Sequence, residues 1–202
     1  MTRPLSFLFL LTCGLHAAVV IDRIAVVVGN HAIKLSDIER DLRVTEFLNR
    51  EPLNLRPDAR RKAAERQIDQ QIIRQEIATG GYQRASDTEA QTMLQQLEKD
   101  RFGGSAARLK QALQQYGLTE DELREQLVWQ LTVLRFIDQR FRPGVLVTDD
   151  DIEAYKKQHP RTTDDQIRET LEGERINQEF ETWLDGARKR MTRIEYRDEA
   201  FK

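Results

Sequence analysis

Extended chain falls at the two ends of this sequence, and that placement constrains the fold more than any other feature. Residues 19–35 read VVIDRIAVVVGNHAIKL, a β-branched run broken at Gly29-Asn30 and followed by a second short run, the pattern of a hairpin with glycine at the first turn position. Residues 192–197, Thr-Arg-Ile-Glu-Tyr-Arg, alternate strictly and read as one more strand. A single strand has no stability of its own in water. The hairpin is its available partner, so the two chain ends are expected to meet in one small sheet.

Between them the sequence reads as helices with clear starts and stops. Ser36-Asp37-Ile38-Glu39 has the form of a capping box opening a helix to about Leu48, and Pro57 suits the first turn of a helix over 57–79. In that second helix Ala64, Ile68 and Ile72, with Ile73 and Ile77 beside them, keep helical spacing up to Gly80-Gly81. Ser86 to Glu89 is a second box, leading a helix to Gly103-Gly104, after which a shorter helix carries Leu109, Leu113 and Tyr116. Thr119 to Glu122 is a third box, with Leu123, Leu127, Leu131 and Leu134 on one face of a long helix that ends before Pro143. Thr148 opens a short helix ending at His159-Pro160, because the residue before proline is disfavoured in helical geometry. The last helix starts near Thr163 and carries Ile167, Leu171, Ile176, Phe180, Trp183, Leu184, Ala187 and Met191.

Composition agrees with a helix-rich chain, and the length with one domain or two small ones. The 202 residues hold 33% charged and 39% hydrophobic side chains, with 10 Gly and 5 Pro, too few for a collagenous or linker protein. Lys and Arg number 32 against 34 Asp and Glu, and the two signs interleave, so no basic patch invites nucleic acid. Residues 1–18 have a charged start, an apolar run from Leu5 to Leu11 and a small-residue exit at Ala17-Ala18, the pattern of a cleaved secretory signal peptide. The run is shorter than the roughly 20 apolar residues that span a bilayer, and no membrane span is expected. Leu10-Leu11-Thr12-Cys13 partly resembles a lipoprotein processing site, with Thr12 where a smaller residue is usual. If the signal is removed instead, the single Cys leaves with it, and packing without disulfides has to hold the mature chain together.

These pieces in this order resemble the SurA-type periplasmic chaperones, specifically the SurA N-terminal domain family. The matching stretches are the exported start, Val20 to Asn30 followed by Ile33 and the Leu35 to Glu39 helix entry, Ile68 to Glu76, Gly117 to Arg124, Val147 to Tyr155, and the last helix and strand from Phe180 to Tyr196. The resemblance implies a mainly α, helical chaperone core in which the C-terminal segment returns to complete the N-terminal domain. Residues 19–202 are then one domain, with the hairpin and helices in 19–158 and the closing helix and strand in 163–197. In that family the helix after Val147 leads into parvulin prolyl-isomerase domains. Here His159-Pro160-Arg161-Thr162 alone separates it from the last helix, so isomerase activity is not carried over.

No catalytic constellation stands out. His31 and His159 read as turn and loop residues, and Asp149, Asp150 and Asp151, like Glu120, Asp121 and Glu122, read as acids favoured at helix N-termini rather than as cation ligands. Trp129 and Trp183 fall within helical patterns and read as core anchors. No nucleotide, metalloprotease or hydrolase fingerprint is present, and neither a cofactor nor an enzymatic activity is expected. Met93, Leu94, Leu97, Phe102, Leu109, Leu113, Tyr116 and Leu118 stand on two short helices joined by the Gly103-Gly104 elbow. Either they close a core, or part of the set lines an apolar cradle for client chains, where burial contributes roughly 25 cal/mol per Å².

The expected protein is a periplasmic, ATP-independent holding chaperone for unfolded exported or outer-membrane proteins. The rival is a structural or adaptor module that acts through homodimerisation or a dedicated partner.

Overall fold

The computed structural model of the chain describes residues 22–202. The expected signal segment, Cys13 and the first hairpin residues Val19 to Ile21 lie outside the described residues. Strands β1 (Ile24–Val28) and β2 (His31–Lys34) form the hairpin, with Gly29 at φ +56°, a left-handed angle that glycine adopts without a Cβ clash. Val28 faces His31, Val27 faces Ala32 and Val26 faces Ile33, with a register shift between Ile24 and Val26. Strand β3 (Ile194–Tyr196) runs antiparallel along the other edge of β1, pairing Val28 with Ile194 and Val26 with Tyr196. The order is β2-β1-β3. The last strand of the chain therefore covers an edge of the first, as the terminal placement of the two extended segments predicts.

Seven helices fill the rest of the described chain: α1 (Leu35–Asn49), α2 (Pro57–Gly80), α3 (Asp87–Phe102), α4 (Ala106–Gln115), α5 (Glu120–Phe141), α6 (Asp149–Gln158) and α7 (Asp164–Arg190). The fold is mainly α with a small sheet. Ser86 and Thr119 make the reciprocal caps expected of them, and Thr148, expected only as a helix start, makes one too, with Glu89, Glu122 and Asp151 accepting the cap residues' own N–H groups at 2.8 Å. Thr163 does the same with Gln166. The start of α1 differs from the sequence expectation. Its N-cap is Lys34, whose N–H is taken by Asp37, while Ser36 donates its hydroxyl and its N–H to Asp22. The cause is tertiary: Leu35 N–H is still bonded to Arg23 O across the hairpin at 2.8 Å, so strand passes into helix without a free cap position.

The first core lies under the sheet. Val26, Val28 and Ile33 meet Ile38 and Leu42 of α1, Ala63, Ala64, Ile68 and Ile72 of α2, and Ala200 and Phe201 at the chain end. The returning segment is also pinned to α2 by polar contacts. Arg188 reaches Asp69 at 2.8 Å and also pairs with Glu65, Tyr196 donates its hydroxyl to Glu65, and the Arg61 guanidinium lies 5.0 Å from the Tyr196 ring. The second core joins Val44 and Phe47 of α1 to Ala90 and Leu94 of α3, Leu109 and Leu113 of α4, Leu118, and Leu123, Leu127 and Val128 of α5. A third, small one packs Val147 and Ile152 on Ile167.

Helix α5 changes partners along its length. Past Leu131 its covered face is the one carrying Phe136, which meets Trp183 at 5.5 Å and Tyr82 at 4.9 Å between ring centroids. Leu134, expected on the buried stripe, is 61% exposed.

Candidate functional site

Helices α1, α2 and α5 enclose an open cleft of about 840 Å³, a size in the range of small-ligand sites. Helical spacing explains its lining. Ala64, Ile68 and Ile72 turn one face of α2 into the first core, so Gln67, Gln70, Gln71 and Arg74, at offsets of three and four, form the neighbouring stripe that faces the cleft. On α5, Leu123 and Leu127 enter the second core while Glu122, Gln126 and Trp129 form the opposite wall.

The floor is a buried carboxylate. Asp41 is 6% exposed and accepts from Arg66 Nη2 at 2.6 Å and Nε at 3.1 Å, from Gln67 Nε2 at 3.1 Å and from Gln70 Nε2 at 3.2 Å. A buried charge is tolerated when paired and hydrogen-bonded in this way, and its oxygens are taken up by their neighbours. In the wall, Thr132 accepts the Ala85 N–H at 3.0 Å and donates to Val128 O at 2.7 Å, which fixes the segment before α3 against α5.

The charged groups of the cleft are paired to different degrees. Arg40 lies 3.3 Å from Glu122 and 3.8 Å from Asp37. Burial opposes the Glu122 charge, but its bonds from Thr119 and the nearby Arg40 hold the carboxyl below its usual value. The Arg74 guanidinium stacks 3.8 Å from the Trp129 ring centroid, a cation–π arrangement. Partial removal from water, followed by the like charge of Arg84, pushes the Arg74 guanidinium below its usual value, and Asp37 opposes the shift. Among the described residues neither Arg74 nor Arg84 has a carboxylate within ion-pair distance. Gln71, Gln83 and Gln126 line the same space.

The eight residues singled out from the sequence lie elsewhere. Leu94, Leu109, Leu113 and Leu118 are buried in the second core, and Leu97, Phe102 and Tyr116 are partly buried against it. Met93, 40% exposed, is the one that stands in solvent. Phe102 and Tyr116, with Phe47, also border a smaller cavity of about 480 Å³. The tryptophans separate as well: Trp183 packs beside the first core, as a core anchor would, whereas Trp129 is a cleft wall. His31 is exposed at the cleft, and His159 stacks on Tyr155 at 4.2 Å at the end of α6. Asp151 is held below its usual pKa by Arg175 and Thr148. Among the described residues no three His, Cys, Asp or Glu side chains converge as metal ligands, and no helix is long and apolar enough to cross a membrane.

Sequence reasoning missed the cleft. A signal was there: the Gln67, Gln70, Gln71 stripe places neutral amides on a helix otherwise covered by charges. Compared with protein families and with curated proteins, the chain finds no significant match.

Proposed function

We propose that the protein is an enzymatically inactive, ATP-independent holding chaperone of the SurA type, acting in the periplasm on unfolded exported or outer-membrane proteins. The observation that carries this reading is the cleft between α1, α2 and α5. The carboxamides of Gln71, Gln83 and Gln126 offer paired donors and acceptors, which suit the main chain of an extended polypeptide whatever its sequence, and Trp129 adds apolar surface to the wall. The return of α7 and β3 onto the hairpin supports the same reading, because it is the closure that the resemblance implies. The cleft rather than the Met93 to Leu118 set is the binding surface in this reading.

The test is light scattering from a diluted, denatured outer-membrane β-barrel protein with and without the mature chain, run beside a prolyl-isomerase assay. Suppression at near-stoichiometric ratios without isomerase activity is the expected result. Unchanged scattering would overturn the proposal. A second reading, a structural or adaptor module, draws on Leu134 and Leu146, which are 61% and 74% exposed. Concentration-dependent mass in sedimentation, abolished by Leu134→Ser with Leu146→Ser and accompanied by no effect on scattering, would favour it.

A further inference from the structure

Among the described residues, two guanidiniums lining the cleft, Arg74 and Arg84, have no carboxylate within ion-pair distance, and Asp37 offsets the Arg74 charge only from further away. Arg74 and Arg84 both line the cleft, and Arg84 is close enough to disfavour the Arg74 charge. Many other arginines of the described chain are paired: Arg66 with Asp41, Arg135 with Glu89, Arg140 with Glu76, Arg188 with Asp69. Like charges held together without a counter-charge are a standing cost, and a bound anion removes it. The Trp129 ring fixes one face of the Arg74 guanidinium, which leaves its donor edge for a planar, two-oxygen acceptor.

We infer that this part of the cleft is an anion subsite in which Arg74 and Arg84 receive a single carboxylate borne by the bound polypeptide. The inference rests on the reading of the cleft as a polypeptide site and names what that site selects. The choice of a lone carboxylate over a polyanion follows from the rest of the lining. Asp37, Asp41, Glu122 and Glu125 occupy the same cleft, so a nucleic acid or other polyphosphate would meet repulsion as soon as it extended beyond the arginines. A chain whose single negative group sits on the two arginines carries no further charge to meet these carboxylates. The adjoining Gln71, Gln83 and Gln126 are neutral donors and acceptors that match the amides flanking that group. An acidic side chain and a chain-terminal carboxylate present the same chemistry.

The test is calorimetric titration of the mature chain with three ten-residue peptides otherwise free of charge. The first is blocked at both ends with one central Glu, the second has Gln in its place, and the third has that Gln and a free C-terminal carboxylate. A single-stranded oligonucleotide of ten thymidines is the fourth probe. The Glu peptide should bind roughly tenfold more tightly than the Gln peptide, the increment of one charge-assisted bidentate contact. Arg74→Gln and Arg84→Gln should each remove most of that preference, with the helical circular dichroism spectrum of the wild type retained. A matching gain for the third peptide would assign the group to chain termini, and a gain for the first alone would assign it to side chains. Equal binding of all three peptides overturns the anion subsite and leaves the holding reading standing. Arginine-dependent binding of the oligonucleotide overturns the polypeptide assignment. Absence of any peptide binding defeats the cleft as a polypeptide site, and the subsite with it.

Discussion

The core beneath the sheet joins the two ends of the described chain, whereas the core among α3, α4 and α5 is assembled from consecutive helices. In the first, Val26 pairs with Tyr196 and Glu65 with Arg188, contacts spanning well over a hundred residues. In the second, each helix meets a near neighbour, and the caps at Ser86 and Thr119 set where the helices start. Helix α1 belongs to both, giving Ile38 and Leu42 to one and Val44 and Phe47 to the other. Closure by distant partners needs the whole chain to be in place, while closure by neighbours needs local signals and apolar spacing. The cleft lies where these two ways of building meet.

The contrast can be broken most forcefully at the chain end. Deleting residues 192–202 removes β3, the Tyr196–Glu65 bond and the buried Ala200 and Phe201, and should cost roughly 4 kcal/mol from one large aromatic burial, a lost ladder and the exposed β1 edge. The melting midpoint followed by circular dichroism should fall by about 10 °C. An unchanged midpoint would mean that the sheet core does not depend on the returning segment. Next in size, Leu109→Ala empties a fully buried position of the second core and should cost about 3 kcal/mol. Hydrogen exchange should quicken in α3, α4 and α5 well before the β1–β2 ladder, and uniform loss of protection would show that the two cores open as one.

A smaller effect separates the polar clamp from the packing around it. Burial, together with the hydrogen bond to Glu65, raises the Tyr196 hydroxyl from its ordinary 10.0 to about 12. Stability from the protonated hydroxyl is therefore fully present below pH 10 and is lost as pH rises towards and through 12. Tyr196→Phe should cost about 1 kcal/mol at neutral pH and flatten the decline in melting midpoint over that alkaline window. A decline unchanged by the substitution would place its origin elsewhere. The smallest effect is expected at Met93, where replacement by serine on an exposed site should change stability by less than about 0.5 kcal/mol and leave aggregation suppression intact. Lost suppression would return the binding surface to α3 and α4.

What the sequence determined by itself was local. The capping boxes at Ser86 and Thr119, the helix start at Thr148, the helix stops at Gly81 and Gly103, and the strand character of residues 192–197 each depend on a few adjacent residues. The meeting of the chain ends followed too, because a lone strand left one partner to choose. Tertiary structure decided what each helix face would meet. Ser36 fits a cap by its neighbours but bonds Asp22, since the hairpin holds Leu35. Leu134 fits an apolar stripe but stands in solvent, since α5 turns Phe136 to α7 instead. Leu94, Leu109 and Leu113 could have been a cradle, and packing enclosed them. Trp129 could have been a core anchor, and the gap between α2 and α5 left it facing Arg74. Caps and breaks depend on hydrogen bonds within one turn of chain, which neighbouring residues fix. Which apolar face is covered depends on surfaces brought together from distant parts of the chain, and residue spacing along one helix carries no record of them.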